Sequence, residues 1–392
     1  MNTLIALAIA MAAGLLVSRG ARFLKLPNVT AFLVAGLIIG PSVSGLIGKE
    51  QADSMSIIST AALGFIAFSI GGEFKLSYLK QIGKAPLTIT AFQGLTTAAL
   101  VDIGLIALGF DVPMSLMLGA IALATAPAAT LMVVRQYKAD GPVTRMLLPV
   151  VAMDDALGLM VYSISAAVSS GLLGGEITVQ TMLFKPLYEI AGSLVLGSLL
   201  GLVVTFAARF FRSRGNKLAL AIAAVFAGVG LCDVLNFSSL LVCMMIGAIV
   251  ANLCEQQQTI MEQTDRFTPP LFLLFFVLSG ADLDLAVLPT VGLIGVLYIL
   301  LRSLGKWSGA LMGASVVHAQ PNVRKYLGLT LLPQAGVAIG MAKLVVDQFP
   351  QFGTKVNAIV LAATLVYELI GPVITKLALT KAGEIQHSPV KA

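Results

Sequence analysis

Two adjacent acids, Asp154 and Asp155, lie in the stretch VAMDDALGLM, within a run from residue 146 to 168 that is otherwise apolar. A charge at the centre of a bilayer costs a few kcal/mol or more, so it requires a partner or a function. Burial favours the neutral acid, whereas a nearby cation favours the carboxylate. A carboxyl group balanced between these effects can hold either a proton or a hard cation such as Na⁺, which prefers oxygen ligands. The pair therefore predicts competition between H⁺ and a cation for one group.

Two bases, Arg302 and Lys306, lie in a second apolar stretch, LLRSLGKWSGA, at 300–310. They are four residues apart, so they share one face of a helix. Adjacent residues of a helix point about 100° apart, so the two acids cannot share one environment. We expect one acid to pair with a cation while the other faces the ion site. The small residues that would allow another helix to approach Lys306 closely are Gly305, Ser308 and Gly309.

A purely structural ion pair is the alternative interpretation of these charges. If only one acid and one base were present, a structural ion pair would explain them as well as an ion site does. Two of each are present, however, and a buried ion pair contributes little to stability by itself. Glu368 is a further acid inside an apolar segment. It could pair with Arg302 or support the site from a neighbouring position.

The composition determines the class of protein. Of the 392 residues, 58% are hydrophobic and 11% are charged, and the mean hydropathy is +0.95. A soluble domain of this composition would have too few charged residues to form its solvent-exposed surface. We predict an all-α integral membrane protein in contact with lipid, which is not an enzyme and needs no cofactor. The net charge of +6 does not indicate nucleic-acid binding in this context, and the three cysteines form no metal-type or disulfide-type spacing.

Apolar segments long enough, or nearly long enough, to cross a bilayer as helices recur along the whole chain. Lys and Arg concentrate in the connections after the odd-numbered segments, which places the N-terminus outside and the C-terminus in the cytoplasm. The thirteen predicted spans are roughly 2–18, 28–47, 55–72, 85–109, 113–134, 146–169, 182–208, 217–232, 237–254, 269–281, 287–313, 325–346 and 356–378.

Weak internal matches predict two inverted repeats of six spans, joined by the span at 182–208. FSIGGEFKL (68–76) aligns with VLSGADLDL (277–285), which places Glu73 over Asp282, and DALG (155–158) aligns with ELIG (368–371). The offset of seven spans is odd, so the second copy runs through the membrane in the opposite direction. Inverted repeats are the architecture of secondary transporters, whose sites lie near the bilayer midplane.

Prolines occur at matching places in spans five and twelve. ATAPAAT (124–130) contains Pro127, and LLPQAGVAIG (331–340) contains Pro333. A proline inside a helix removes a backbone hydrogen bond, and non-helical backbone is tolerated in a membrane only where it lines a cavity or is buried in protein. One such span would be an ordinary kink, but two at matching positions predict crossed, discontinuous helices. The oxygen ligands beside them would come from Thr125, Thr130 and Gln334.

These features resemble the cation/proton antiporter superfamily, specifically the bacterial sodium/proton antiporters of the NapA type. The resemblance covers essentially the full chain and rests on the spans, the DD at 154–155, TAPAAT at 125–130 and GKWSGA at 305–310. It implies that Asp155 binds the cation or the proton and that Asp154 pairs with Lys306. We interpret Asp154 and Lys306 as a proton-linked ion pair and Thr125 as an oxygen ligand of Na⁺. TAPAAT lacks the serine or aspartate that often follows the first threonine, so the choice among Na⁺, Li⁺ and K⁺ stays open.

The same resemblance implies a homodimer in the bacterial inner membrane, in which a core slides against a dimerisation scaffold in an elevator movement. The scaffold would comprise 1–54 and 182–254, the ion-transport core 55–170 and 269–380, and a short cytoplasmic tail 381–392. The Asp-Asp form is associated with electrogenic exchange, in which more protons than sodium ions move in each cycle.

The predicted function is exchange of Na⁺ or Li⁺ for protons by alternating access. The alternatives are a K⁺/H⁺ exchanger, a sodium-coupled symporter of organic anions on a related fold, and a membrane sensor that transports nothing. The apolar runs TAPAAT and GVAIGMA (336–342) offer few groups to hold an organic anion, which disfavours the symporter.

Overall fold

The structure, a computed structural model, describes residues 2–21, 23–24, 26–72, 74, 76, 83–173, 184–211, 213–235, 237–283, 285 and 291–385. Within these ranges the regular elements are helices, and none is a strand, which confirms the all-α prediction. Glu73, used in the predicted repeat, and residues 386–392 of the predicted tail lie outside the described residues.

The first half of the described chain forms helices that we number α1 to α8. Their bounds are α1 Thr3–Ala21, α2 Asn28–Ile39, α3 Lys49–Ser54, α4 Ser56–Gly72, α5 Ala85–Ala107, α6 Val112–Ala122, α7 Pro127–Tyr137 and α8 Pro142–Leu172. The second half continues with α9 Lys185–Ala207, α10 Arg214–Leu235, α11 Ser239–Leu253, α12 Gln257–Phe267, α13 Pro269–Ala281, α14 Gly292–Val316, α15 Pro321–Thr330, α16 Gly336–Gln348 and α17 Gly353–Lys381.

Each of the thirteen predicted spans overlaps one of these helices or, for spans five and twelve, two. In the described residues, seven helical stretches are long and apolar enough to cross a membrane by length and composition, and five more apolar helices are shorter. The count of thirteen crossings therefore stays a prediction. Two helices between the predicted spans, α3 and α12, were not predicted.

The chain forms two compact units. The first comprises residues 1–19, 32–83 and 185–282, and the second comprises 20–31, 84–184 and 283–392. The predicted division into a scaffold and an ion-transport core stays a prediction, because two compact units do not by themselves show which part of the chain moves.

In the first unit, helices meet at glycines where a side chain would not fit. A β-carbon at Gly280 of α13 would lie 2.8 Å from the Cα of Leu33 in α2. A β-carbon at Gly71 of α4 would lie 2.7 Å from the carbonyl carbon of Met244 in α11. Small residues let membrane helices approach backbone to backbone, so α2 packs on α13 and α4 on α11 by van der Waals contact.

In the second unit, α5 and α14 pack along most of their lengths. Three glycines of α14, spaced four residues apart, line the contact. A β-carbon at Gly305 would lie 2.6 Å from the Cα of Thr97, one at Gly309 2.6 Å from the Cα of Gln93, and one at Gly313 2.8 Å from the Cα of Ile89. The predicted close approach at Gly305 and Gly309 is therefore present, and it brings Gln93 beside the segment that carries Lys306.

The two predicted interruptions are also present in the second unit. Helix α6 ends at Ala122 and α7 begins at Pro127, while α15 ends at Thr330 and α16 begins at Gly336. Pro127 occupies the first turn of α7, where a missing N–H is tolerated. The two interrupted stretches touch, because the Ala126 backbone N–H donates to the Pro333 carbonyl oxygen at 2.8 Å. We refer to residues 123–126 and 331–335 together as the crossing.

Candidate functional site

A fully buried ion pair joins α8 and α14 in the second unit. Lys306 Nζ is 3.1 Å from Asp154 Oδ2, and both side chains have no solvent exposure. An unpaired charge at such a depth is strongly unfavourable, so each of the two groups stabilises the charged form of the other. The structure thus brings together the first aspartate and the lysine of the sequence motifs.

Gln93 of α5 joins both members of this pair. Its side-chain Nε2 donates to Asp154 Oδ1, and its Oε1 accepts from Lys306 Nζ at 2.9 Å. Gln93 was not predicted from the sequence, because a neutral side chain is less conspicuous in an apolar segment than a charge or a proline. A signal was available, since Gln93 is a long polar side chain in an apolar helix and polar groups at that depth require partners.

Thr125, in the first interruption, adds a hydroxyl group to the same cluster. Its Oγ1 donates to Asp154 Oδ2 at 2.7 Å and accepts from Lys306 Nζ at 2.9 Å. Lys306 also donates to the Leu123 carbonyl oxygen, so its three protons face four acceptors. The ammonium group is therefore held by unwound backbone, two neutral side chains and one carboxylate.

Arg302 lies one helical turn before Lys306, but it binds backbone rather than an acid. Its guanidinium donates to the carbonyl oxygens of Ala122 at 3.0 Å, Ala124 at 2.7 Å and Leu332 at 2.7 Å. It also stacks on the ring of Tyr367, 4.4 Å from the centroid. A helix that ends inside the membrane leaves carbonyl groups without partners, and the planar guanidinium satisfies carbonyls from both interruptions at once.

Asp155 differs from its neighbour. It is 2% exposed, and neither carboxylate oxygen has a hydrogen-bond partner among the described residues. An ionised carboxylate is strongly disfavoured without partners in a dry interior, so the group must be neutral or receive a ligand. The two acids therefore have different environments, as helix geometry requires.

The predicted cation site of Asp155 and Thr125 stays a prediction. The Thr125 hydroxyl is bonded to Asp154 and Lys306 in this structure. In the part of the chain that the structure describes, no three His, Cys, Asp or Glu side chains cluster as a metal site. Carboxylate, hydroxyl and carbonyl oxygens, which suit a hard cation, nevertheless occur at the crossing.

The remaining predicted residues lie around the crossing. Gln334 Nε2 donates to the Ile121 carbonyl oxygen at 3.1 Å and to the Tyr298 hydroxyl at 3.0 Å, while its Oε1 has no partner among the described residues. The Thr130 hydroxyl donates to the Ala126 carbonyl oxygen at 3.3 Å. Glu368 of α17 is 3% exposed, and it forms no ion pair with Arg302.

Comparison with known proteins identifies related sequences. The sequence model of the transmembrane sodium/hydrogen exchanger family matches residues 7–381, which is nearly the whole chain. A curated relative, the high-affinity Na⁺/H⁺ antiporter NhaS3 of Synechocystis, is 24% identical over 269 residues. That match covers 66% of this chain and 57% of NhaS3, so it spans little more than half of the relative.

Two further comparisons cover more of the chain. The ammonium/H⁺ antiporter subunit AmhT of Alkalihalophilus pseudofirmus is 22% identical over 342 residues, which is 84% of this chain and 83% of AmhT. The solved structure of the sodium proton antiporter MjNhaP1 from Methanocaldococcus jannaschii matches with a TM-score of 0.80 at 21% identity, over 99% of this chain and 100% of that chain. At this identity the structural match establishes the fold.

Proposed function

The chain belongs to the sodium/hydrogen exchanger family, and on this premise we propose that it exchanges a monovalent cation, Na⁺ or Li⁺, for protons across the membrane. The observation that carries the proposal is the contrast between the two acids of α8. Asp154 is fully partnered, whereas both oxygens of the buried Asp155 carboxyl group are without partners among the described residues. Such a group binds a proton or a desolvated cation, and never both.

In the proposed mechanism, Asp155 carries the occupant. When the carboxyl group is protonated it is neutral and stable in the apolar interior. When it loses the proton, a cation replaces it and restores neutrality, aided by oxygens of the crossing. Exchange follows because each occupant must leave before the other binds.

The Asp154–Lys306 pair has a different proposed role. Lys306 is an ammonium in a site with no exposure, and its charge depends on Asp154 and on the carbonyl and amide oxygens around it. Rearrangement of these contacts would change the proton affinity of the amine. We therefore assign to the pair a proton linked to transport, which makes the exchange electrogenic.

The larger architecture belongs to the same proposal. It comprises thirteen spans in two inverted repeats, an elevator movement, a homodimer, and a multi-pass protein of the bacterial inner membrane with the C-terminus in the cytoplasm. The two touching interruptions support it, since broken helices that meet are the usual ion site of inverted-repeat transporters.

A second candidate cation comes from one relative. AmhT is named as a subunit of an ammonium/H⁺ antiporter and matches most of this chain. K⁺ and NH₄⁺ are close in size, and the oxygens of the crossing do not by themselves select against either. The second candidate function is therefore exchange of K⁺ or NH₄⁺ for protons at the same site.

The test uses proteoliposomes with an imposed pH gradient, to which Na⁺, Li⁺, K⁺ or NH₄⁺ chloride is added. Protein-free liposomes give the baseline for each salt, which matters for NH₄⁺ because NH₃ crosses lipid unaided. We expect Na⁺ or Li⁺ to dissipate the gradient through the wild-type protein and Asp155→Asn to be inactive with every cation. Asp265→Asn, at an exposed position of α12, is the matched control and should behave as wild type. Sustained exchange by Asp155→Asn would refute the role of Asp155.

A further inference from the structure

One face of α17 carries a row of polar residues that the proposed mechanism does not use. Asn357, Thr364, Glu368 and Thr375 are separated by seven, four and seven positions. At about 100° per residue these spacings place all four within an arc of about 40°. At about 1.5 Å per residue the row extends for about 27 Å, nearly the thickness of the hydrocarbon core.

Each residue of this row has a buried oxygen without a partner. Asn357 Oδ1, Thr364 Oγ1, Glu368 Oε1 and Thr375 Oγ1 have no hydrogen bond within the described part of the chain. One buried polar atom left unpaired costs about 1–3 kcal/mol, so four on a single face are not stable as a dry surface. Water satisfies groups of this kind where the surroundings are polar and roomy enough.

Glu368 is the titratable member of the row, and an additional acceptor lies on its own backbone. Pro372 is inside α17 and has no N–H, so the Glu368 carbonyl oxygen lacks its usual helical donor. Glu368 is 3% exposed and Thr364, one turn away on the same face, is 2% exposed. The Glu368 carboxyl group, which would be unstable as a bare anion, therefore shares its face of α17 with the unpaired Thr364 hydroxyl.

No cation on the helices packed against α17 neutralises Glu368 in this structure. Arg302 of α14 is committed to three carbonyl oxygens and the Tyr367 ring. Lys306, on the same helix, is held by Asp154, Gln93, Thr125 and Leu123. The third titratable residue of α14, Tyr298, accepts a hydrogen bond from Gln334. Helix α6 has no titratable residue. On α7, α15 and α16 the titratable side chains that the structure describes are partly or fully exposed, namely Arg135, Tyr137, Arg324, Lys325, Tyr326 and Lys343, and Asp347 is the penultimate residue of α16.

The row also reaches the crossing. A β-carbon at Gly371, which follows Glu368 by three residues on nearly the same face, would lie 3.0 Å from Pro333 Cγ and 3.1 Å from its Cα. The helix backbone therefore passes directly against the second interruption. A change in the charge of Glu368 would therefore alter the electrostatic potential at the interruption between α15 and α16.

We propose that Glu368 is a second proton-binding carboxyl group of this protein, hydrated along the polar face of α17, and that it takes up and releases its proton during the transport cycle. The proposal rests on the proposed cation/proton exchange. The proton comes from water on one side and returns to water on the other, so no other reactant is involved. Asp155 holds either a cation or a proton, whereas Glu368 holds a proton alone.

The test compares wild type with Glu368→Gln, which has the shape of the protonated acid but cannot titrate. The coupling ratio is measured in proteoliposomes as the Na⁺ gradient that exactly balances an imposed pH gradient. We expect Glu368→Gln to exchange Na⁺ with fewer protons per cation than wild type. Glu262→Gln, an exposed substitution on α12, should keep the wild-type ratio.

The results separate this proposal from the proposed function. If the wild type exchanges no cation, the function itself fails. If the wild type exchanges and Glu368→Gln has the wild-type ratio, only the second proton site is overturned. A weaker apparent affinity for Na⁺ at an unchanged ratio would make Glu368 a cation ligand and would equally overturn it.

A second measurement tests the proposal without Glu368→Gln, in case that variant does not fold. The carbonyl band of a protonated carboxylic acid is followed in infrared spectra of wild type and of Asp155→Asn over a range of pH. We expect a titrating band that persists in Asp155→Asn, and that shifts in Thr364→Val, which removes the nearest hydroxyl of the row. Absence of a titrating band in Asp155→Asn overturns the proposal.

Discussion

Lys306 Nζ donates to Gln93 Oε1 at 2.9 Å, although the two residues are 213 positions apart in the chain. The contact exists because Gly305 and Gly309 bring the backbone of α14 against α5. The same amide donates to Asp154, so Gln93 fixes the distance and orientation of both charges. Its role is positioning, since it touches the ion pair rather than the carboxyl group assigned to the transported ion.

Replacing Gln93 by leucine removes one hydrogen bond from each charge. A lost bond to a buried charge costs about 1.5–3 kcal/mol, so we expect the exchange rate to fall by a factor of ten or more. The measurement is the initial rate of Na⁺-driven dissipation of a pH gradient. Gln258→Leu, at an exposed position, is the control. A wild-type rate in Gln93→Leu would show that the amide is dispensable.

Replacing Gly309 by alanine tests the helix contact itself. A β-carbon there would lie 2.6 Å from the Cα of Gln93, so α5 and α14 must separate. We expect lower thermal stability in detergent together with lower exchange. Gly230→Ala on α10 meets no atom within 4 Å and should be neutral or stabilising, because alanine favours helix by about 1 kcal/mol. Equal effects of the two substitutions would contradict the packing argument.

Replacing Arg302 by lysine keeps the charge and removes the planar fork. One ammonium cannot reproduce the three carbonyl bonds and the stacking on Tyr367 with the same geometry. We expect a loss of about 2 kcal/mol or more in stability, seen as a lower unfolding temperature in detergent. An unfolding temperature equal to that of wild type would mean that water satisfies these carbonyls as well as the guanidinium does.

Replacing Lys306 by glutamine removes the charge but keeps hydrogen-bonding capacity toward Thr125 and Leu123. If the Asp154–Lys306 pair carries a transported proton, the exchange should lose or weaken its dependence on membrane potential. The measurement is Na⁺-driven proton flux at imposed potassium diffusion potentials. A response to potential identical to that of wild type would count against this role of the pair.

Replacing Glu384 by alanine removes the cap of the helix that carries both acids. Glu384 is 3% exposed, and its carboxylate accepts from the backbone N–H groups of Val143 at 2.6 Å and Thr144 at 2.8 Å. A carboxylate there also complements the dipole of α8. We expect Glu384→Ala to lower stability by about 1–3 kcal/mol and the exposed Glu262→Ala to have little effect. Similar unfolding temperatures would show that solvent caps α8 equally well.

The sequence predicted a substantial part of the site because the relevant signals are local. Hydropathy located the helices, and the prolines near residues 127 and 333 located the two interruptions. The acids of α8 and the bases of α14 were recognised because charges are rare in apolar segments. The predicted Asp155–Thr125 cation site, the inverted repeats and the thirteen crossings stay predictions.

What the sequence by itself determined is thus the set of helices and the presence of two acids and two bases within them, since periodicity and polarity depend only on neighbouring residues. Only the tertiary structure decided how these groups are partnered. It placed Lys306 on Asp154, turned Arg302 toward the carbonyls of both interruptions, brought in Gln93, and left Asp155 and Glu368 with unpaired oxygens within the described residues. The physical reason is that partnership at this depth depends on which helix faces meet, and that is set by glycine contacts and interruptions far apart in the chain.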